Sequence, residues 1–265
     1  MTDSEGAFDA LVFLAGSPNR IAVLDALTAG EPVDRRDLVD DLGLSRVTVT
    51  RIVNGLESRG WVTGEGTTYQ ATPIGEIVLE EVQSLLDTFE SMERLSLVLP
   101  WLPDDLDVDL RRLTDARITL PTWSDSVAPV RRAAELCRGV DELTVCASGI
   151  APDVIKGIRD AAVEDGADVE VVVTADAIEV VRDDPTMRNW FGEVVDSDGQ
   201  IYEHRGHPYL IGLCDHIAVI GVNDNDGMPR GLIESTDTAV YEWVRSTTDR
   251  CRAEARPVGS DAFSG

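Results

Sequence analysis

Lysine is almost missing from this chain: Lys156 stands alone among 265 residues. Histidine occurs three times, at His204, His207 and His216, and aromatics make up 5%. No apolar run approaches the ~20 residues that cross a bilayer. The N-terminus, Met1-Thr2-Asp3-Ser4-Glu5-Gly6, is acidic where a signal peptide would be basic. A cytoplasmic protein with no membrane partner is therefore expected. The four cysteines, Cys137, Cys146, Cys214 and Cys251, are widely spaced with no C-x-x-C. Without such spacing, reduced thiols are expected rather than a disulfide framework.

Acid is abundant instead. Forty-nine Asp and Glu face 23 Lys and Arg, a formal charge of −26, and the acids run from end to end rather than in one tail. An even acidic coat resembles the proteins of haloarchaea, which work in molar salt where charge repulsion is screened to a few ångströms. Binding to nucleic acid under those conditions gains little from counterion release. It must come from base-edge hydrogen bonds, contact with thymine methyls and shape.

Such a binding element is visible at residues 42–73. Leu42-Gly43-Leu44 makes a short turn, and Ser45 caps a helix carrying Arg46-Val47-Thr48-Val49-Thr50-Arg51. Val49, Ile52, Val53 and Leu56 recur at helical spacing and should face a core. Arg46, Val47, Thr48, Thr50 and Arg51 then look outward at the helix start, the end that meets base edges in a helix-turn-helix. After Arg59-Gly60-Trp61-Val62, the runs Trp61-Val62-Thr63 and Thr67-Thr68-Tyr69-Gln70-Ala71 flank Gly64-Glu65-Gly66 and predict a hairpin wing. Arg35 and Arg36, opening the preceding helix capped by Asp34, are candidate phosphate contacts, and Thr67 and Thr68 are candidate wing contacts.

Three regions follow from the pattern: a winged helix-turn-helix over 1–72, a helix and linker over 73–110, and a sensor domain over 111–256. A tail over 257–265, with Pro, Gly and Ser, is expected to be disordered. In the Pro73–Leu99 stretch, Val78, Val82, Leu85, Phe89 and Met92 alternate by four and three, and Leu99 returns to the seam. That is a coiled-coil spacing and predicts pairing of protomers, although packing on its own domain would use the same spacing. Pro100-Trp101-Leu102-Pro103 breaks the helix. From Val127 onward strands and helices alternate and then give way to a strand meander, predicting an α/β sandwich with a mixed sheet.

The residues Ser45–Arg51 and Leu56–Val62 resemble the winged helix-turn-helix of archaeal regulators. The whole architecture resembles haloarchaeal transcriptional regulators whose C-terminal part is similar to the middle domain of a methanogenesis-regulator family, and it is similar to the sugar-sensing TrmB regulators. His207-Pro208-Tyr209-Leu210-Ile211-Gly212-Leu213-Cys214-Asp215 and Ile217-Ala218-Val219-Ile220-Gly221 also resemble a phospholipase-D-type half. That family's H-x-K-x4-D motif is broken here: His207 matches, but Tyr209 stands at the Lys position and Cys214 at the Asp position. The resemblance implies the fold and a pocket and argues against the chemistry.

A ligand pocket is expected at the strand ends, with Ser148 and Gly149 before a helix N-terminus and Arg205, His207 and Tyr209 facing it. His204 and His207 near Cys214 and His216 could line a soft metal site, and Cys146 with Cys214 could sense redox state. No usual zinc spacing is present and buried thiols are normally inert, so no metal and no cofactor is expected. The sequence therefore predicts a non-enzymatic, homodimeric regulator of a double-stranded DNA operator, modulated by an unidentified small-molecule effector. Two alternatives are a phospholipase-D-like hydrolase or nuclease carrying a DNA-binding domain, and a constitutive DNA-binding protein whose C-terminal domain only mediates assembly.

Overall fold

In the computed structural model, which describes residues 3–263, the chain divides after Glu90 into two units. The first holds α1 (Asp3–Ala15), α2 (Pro18–Ala26), β1 (Val33–Asp34), α3 (Arg35–Leu42), α4 (Arg46–Glu57), β2 (Val62–Glu65), β3 (Thr68–Ala71) and most of α5 (Pro73–Ser96). Local chemistry sets the α3–α4 turn. Asp34 caps α3 by accepting from the Arg36 N–H at 2.8 Å, and Gly43 ends it at φ +63°, where a side chain would be strained. Ser45 caps α4 by accepting from the Thr48 N–H at 3.1 Å. Val49, Ile52, Val53 and Leu56 of α4 are buried as the spacing predicts, against Leu14, Leu24, Leu27, Leu38, Trp61 and Tyr69. Each such aliphatic side chain contributes roughly 1.5–3 kcal/mol.

The wing is present with a shifted turn. Gly66 and Thr67 form a two-residue connection, and Gly64, expected in the turn, lies in β2 opposite Tyr69. The Tyr69 ring takes the space a Cβ on Gly64 would need, approaching it to 2.5 Å. A third strand, β1, pairs with β3 and completes a sheet of order β1-β3-β2.

The expected α5 seam divides. Val82 is buried and Val78 half-buried in the first unit's core beside Leu79, whereas Met92 and Leu95 pack into the core of the second. Ile74, Ile77, Leu85 and Phe89 are left exposed, Phe89 at 59%. Among the described residues no single helix is long and apolar enough to cross a membrane; α1 and α2 reach that composition only as a pair bent by 87°.

The second unit is a mixed sheet between helical layers. Its elements are β4 (Arg117–Thr119), α6 (Ala128–Leu136), β5 (Glu142–Ala147), α7 (Pro152–Asp160), β6 (Asp168–Thr174), α8 (Ala175–Asp183), α9 (Pro185–Asp196), β7 (Gln200–His204), β8 (Leu210–Cys214), β9 (Ile217–Asn223), β10 (Pro229–Ser235), α10 (Thr238–Glu254) and β11 (Arg256–Pro257). A π-helical turn over 161–165 extends α7. Eight strands lie in the order β11-β7-β6-β5-β8-β9-β10-β4. β5, β6 and β7 are mutually parallel, joined through helices, and the meander from β8 to β10 is antiparallel. Helices α6–α9 cover one face and α10 the other, each over its own apolar core.

Two expectations change here. The stretch expected as a linker belongs to the second unit, because Leu102, Leu106, Val108 and Leu113 pack on the α10-side core. The tail expected to be disordered is ordered as far as it is described. β11 pairs with β7, the Val258 N–H donates to the Ile201 carbonyl at 2.8 Å, and Phe263 is buried edge-on against Phe191 at 5.6 Å. An aromatic anchored in a core outweighs the loose composition around it.

Candidate nucleic-acid interface and cavity

Burying one stripe of α4 leaves Arg46, Val47 and Arg51 exposed and Thr48 and Thr50 half-exposed. Val47 is 78% exposed, an apolar side chain in water beside two cations. Ser45 and Thr48 hydroxyls are 2.9 Å apart, and the Thr50 hydroxyl donates to the Arg46 carbonyl at 2.8 Å. These bonds use hydroxyl protons while leaving oxygen lone pairs to accept from a base edge.

The distribution of ion pairs sets this unit apart. All 17 ion pairs among the described residues lie in the second unit. Arg20 and Arg59 of the first unit lie over the Phe13 ring, at 4.3 and 3.7 Å. Among the described residues, Arg35, Arg36, Arg46 and Arg51 have no carboxylate within ion-pair distance. In a chain with twice as many acids as bases, Arg46 and Arg51 stand out as exposed cations without an ion pair, while Arg35 and Arg36 act through space on the neighbouring Asp34 carboxyl.

The wing contributes differently from expectation. The Thr67 hydroxyl donates to Asp34 Oδ2 at 2.6 Å and the Thr67 carbonyl accepts from the Arg35 N–H at 2.9 Å. The Thr67 and Arg36 hydrogen bonds hold the Asp34 carboxyl below its usual range. Thr67 therefore ties the wing to the start of α3 and is not a free tip donor. Thr68 is half-buried in register with Asp34. The exposed tip is Glu65-Gly66, which carries no cation to meet a phosphate.

In the second unit a cavity of about 390 Å³ opens between α6, α7 and strands β5 and β8–β10. Val130, Ala133, Val145, Val154, Leu210 and Val219 give it apolar walls, and Asn223 brings a polar side chain. Of the five residues expected to bind ligand, Gly149 alone lines it. The reason is strand parity. β5 sends Val145 and Ala147 toward α6–α9 and Cys146 toward α10, and β8 sends Leu210 and Cys214 to the first face and Ile211 and Leu213 to the second.

The remaining expected ligand residues do other things. Tyr209 packs with the α10-side core. Its hydroxyl donates to Asp105 at 2.5 Å and accepts from Arg250 at 3.1 Å. Ser148 is tied through its backbone, its N–H to the Tyr209 carbonyl at 2.7 Å and its carbonyl to the Thr174 hydroxyl at 2.8 Å. Arg205 is exposed. Parity also scatters the broken phospholipase-D-type motif, since Tyr209 and Cys214 serve opposite faces.

The expected thiol groupings change for the same reason. Cys146 and Cys214 lie on opposite faces and do not form a redox pair. His207 meets Cys146, with Sγ to Nε2 at 3.6 Å, and Cys251 of α10 completes a cluster with them, while Cys214 and His216 stay outside. Burial, then the neighbouring His204, lowers the His207 pKa to about 4. Burial pushes the Cys214 thiol up to about 12 and raises that of Cys137. Both thiols should resist maleimide in the native protein at pH 8 and react on unfolding; mass spectrometry of labelled peptides checks this, and rapid native labelling of Cys214 would contradict it.

Residues 8–94 match the family described as HVO_A0261 N-terminal domain. Residues 127–254 match the family described as Methanogenesis regulatory protein FilR1, middle domain. No curated protein sequence matches the chain. Among solved structures, TrmBL2, an archaeal chromatin protein described as showing a novel mode of DNA binding, is similar at TM-score 0.44 and 14% identity, with 94% of this chain and 97% of that one covered. Nuc from Salmonella typhimurium, a phospholipase D family member, is similar at TM-score 0.43 and 12% identity, with 55% of this chain and 99% of that one covered. A transcriptional regulator, RHA06195 from Rhodococcus sp. RHA1, follows at TM-score 0.31 and 12% identity, with 89% and 95% covered. The chain is thus similar to the HVO_A0261 N-terminal domain family over residues 8–94 and to the FilR1 middle-domain family over residues 127–254, two stretches that together span most of its length.

Proposed function

We propose that this chain is a DNA-binding transcriptional regulator. The observation that carries the reading is the solvent-facing start of α4, where unpaired Arg46 and Arg51 flank a 78%-exposed Val47. Two cations supply hydrogen-bond donors suited to guanine O6 and N7, and a valine suits a thymine methyl. Thr48 and Thr50 add acceptors, and Arg35 and Arg36 stand near for phosphates. The regulatory family of the second unit supports the same reading. The departures at Tyr209 and Cys214 tell against phosphodiester hydrolysis.

The protein acts as a homodimer on a two-fold operator, paired through Ile74, Ile77, Leu85 and Phe89, which leave the folded chain with an uncovered apolar stripe. Phe89→Asp should shift the full-length protein from dimer to monomer in light-scattering chromatography; an unchanged mass would place the interface elsewhere. The effector is an apolar small molecule held in the cavity walled by Val145, Val154, Leu210 and Val219, and it acts by binding two dimer geometries with different affinity. The acidic coat fits a halophilic cytoplasm.

Genome-wide occupancy of the tagged full-length chain in a high-salt host tests the regulator reading. Sharp peaks over a shared palindrome are expected, and uniform or absent occupancy across growth conditions would overturn it.

A further inference from the structure

On the α10 side of the sheet, three soft donors converge from elements far apart in sequence. Cys146 Sγ of β5, Cys251 Sγ of α10 and a ring nitrogen of His207, in the β7–β8 connection, all lie within 4.8 Å of one another. We propose that Cys146, His207 and Cys251 form a binding site for a thiophilic d10 metal ion, Zn2+ or Cu+. The site is independent of the DNA-binding reading and lies on the opposite sheet face from the apolar cavity.

The geometry suits the ion. Zinc bonds of about 2.3 Å to sulfur and about 2.0–2.1 Å to nitrogen set a tetrahedral S···N edge of about 3.6 Å. The Cys146 Sγ to His207 Nε2 distance is 3.6 Å. Both cysteines are buried and His207 half-buried, so these donors are largely withdrawn from water while the imidazole keeps an edge toward solvent. Three protein donors leave a fourth position for water or a small ligand.

Neighbouring groups hold the imidazole in place. Tyr209 stacks on His207 at 6.0 Å, and His204 meets it edge-on at 5.1 Å. His204 itself is committed elsewhere: its Nδ1 accepts from the Gly206 N–H at 3.0 Å, and its Nε2 faces Glu254 at 3.5 Å. It therefore orients the loop and leaves coordination to His207.

Donor chemistry decides between this site and the 49 carboxylates elsewhere. Thiolate and imidazole favour soft or borderline ions, whereas carboxylates suit magnesium and calcium. As the ion binds, each thiol loses its proton to solvent, so two protons leave per ion. Two thiolates and a neutral imidazole balance a divalent charge, which keeps a buried zinc site neutral. Binding would clamp the 205–209 loop to α10 and β5.

The full-length chain, stripped with a chelator and kept under a phosphine reductant in high salt, is titrated with Zn2+ and with Cu+ against competing chelators. Co2+ serves as the spectroscopic probe. One Zn2+ or Cu+ per chain is expected, the tighter of the two identifying the ion, together with a thiolate-to-Co2+ charge-transfer band. Cys251→Ser should weaken binding at least about a hundredfold and abolish the band. His207→Gln should weaken it as well, and Cys214→Ser on the other face should leave it unchanged. Cys146 is fully buried, so the two more accessible variants, with circular dichroism matching the parent, carry the test. Stoichiometry and affinity unchanged in both variants, or an absent thiolate band with only carboxylate-type binding, would overturn the proposal.

Discussion

Replacing Arg46 and Arg51 together by alanine is expected to abolish specific operator binding while leaving the fold intact. Each arginine that reads a base edge is worth about 1–3 kcal/mol of discrimination. Two independent contacts then cost roughly thirtyfold to twenty-thousandfold in affinity. Both side chains are exposed and lack an ion-pair partner, so their loss should change stability by no more than about 0.5 kcal/mol. Salt dependence separates readout from simple attraction. With so few cations on the α3–α4 surface, the parent should show a shallow slope of log affinity against log salt, and the double variant should flatten it by at most about two. Fluorescence anisotropy on a labelled operator found by occupancy mapping, at several potassium chloride concentrations, measures both quantities. An operator affinity equal to the parent's would remove the α4 face from the reading.

Arg132→Met should produce the largest loss of stability, confined to the second unit. Glu234 is 7% exposed and accepts two hydrogen bonds from Arg132, at 2.9 Å from Nε and 2.7 Å from Nη2. The Glu234 hydrogen bonds push the Arg132 pKa up. Removing the arginine leaves a buried carboxylate with Arg117 at 3.8 Å as its remaining cation. Breaking a buried pair in this way costs about 3–5 kcal/mol, and the partial exposure of Arg132 together with Arg117 nearby sets the expectation at the lower end, about 3 kcal/mol. Denaturation followed by near-ultraviolet circular dichroism at low and molar salt would read this. A buried pair is screened little by salt, so the deficit should persist at high potassium chloride. The double variant with Glu234→Met should recover most of it, because the cost lies in the orphaned charge. An Arg132→Met protein as stable as its parent would show that the carboxylate finds water or is protonated without penalty.

The first unit was the more legible half. Capping residues act over three positions and apolar spacing over two turns, so Ser45, Asp34 and the Val49–Leu56 stripe could be read without knowledge of the rest of the chain. The α5 seam was misassigned in part because four-three spacing serves equally a helix pairing with its copy and one lying on its own domain. β1, β4 and β11 went unseen: two or three residues are too short to show a period, and each pairs with a strand distant in the chain. The ordered end of the chain likewise depends on Phe263 finding Phe191, which no local composition reveals.

Alone, the sequence determined what depends on near neighbours along the chain: the helix-turn-helix, its outward arginines, the strand–helix alternation of the second unit and the even acidic coat. Tertiary structure decided which residues meet. Each strand sends alternate side chains to opposite faces, so a change of one position in register would exchange cavity wall for metal-ligand cluster. Parity put Cys214 in the cavity and Cys146 beside His207, 61 positions away, and it kept Tyr209 from the place the resemblance assigned to it. A linear pattern records that alternation but not which face will meet α10, because that choice is made by the packing of the whole sheet.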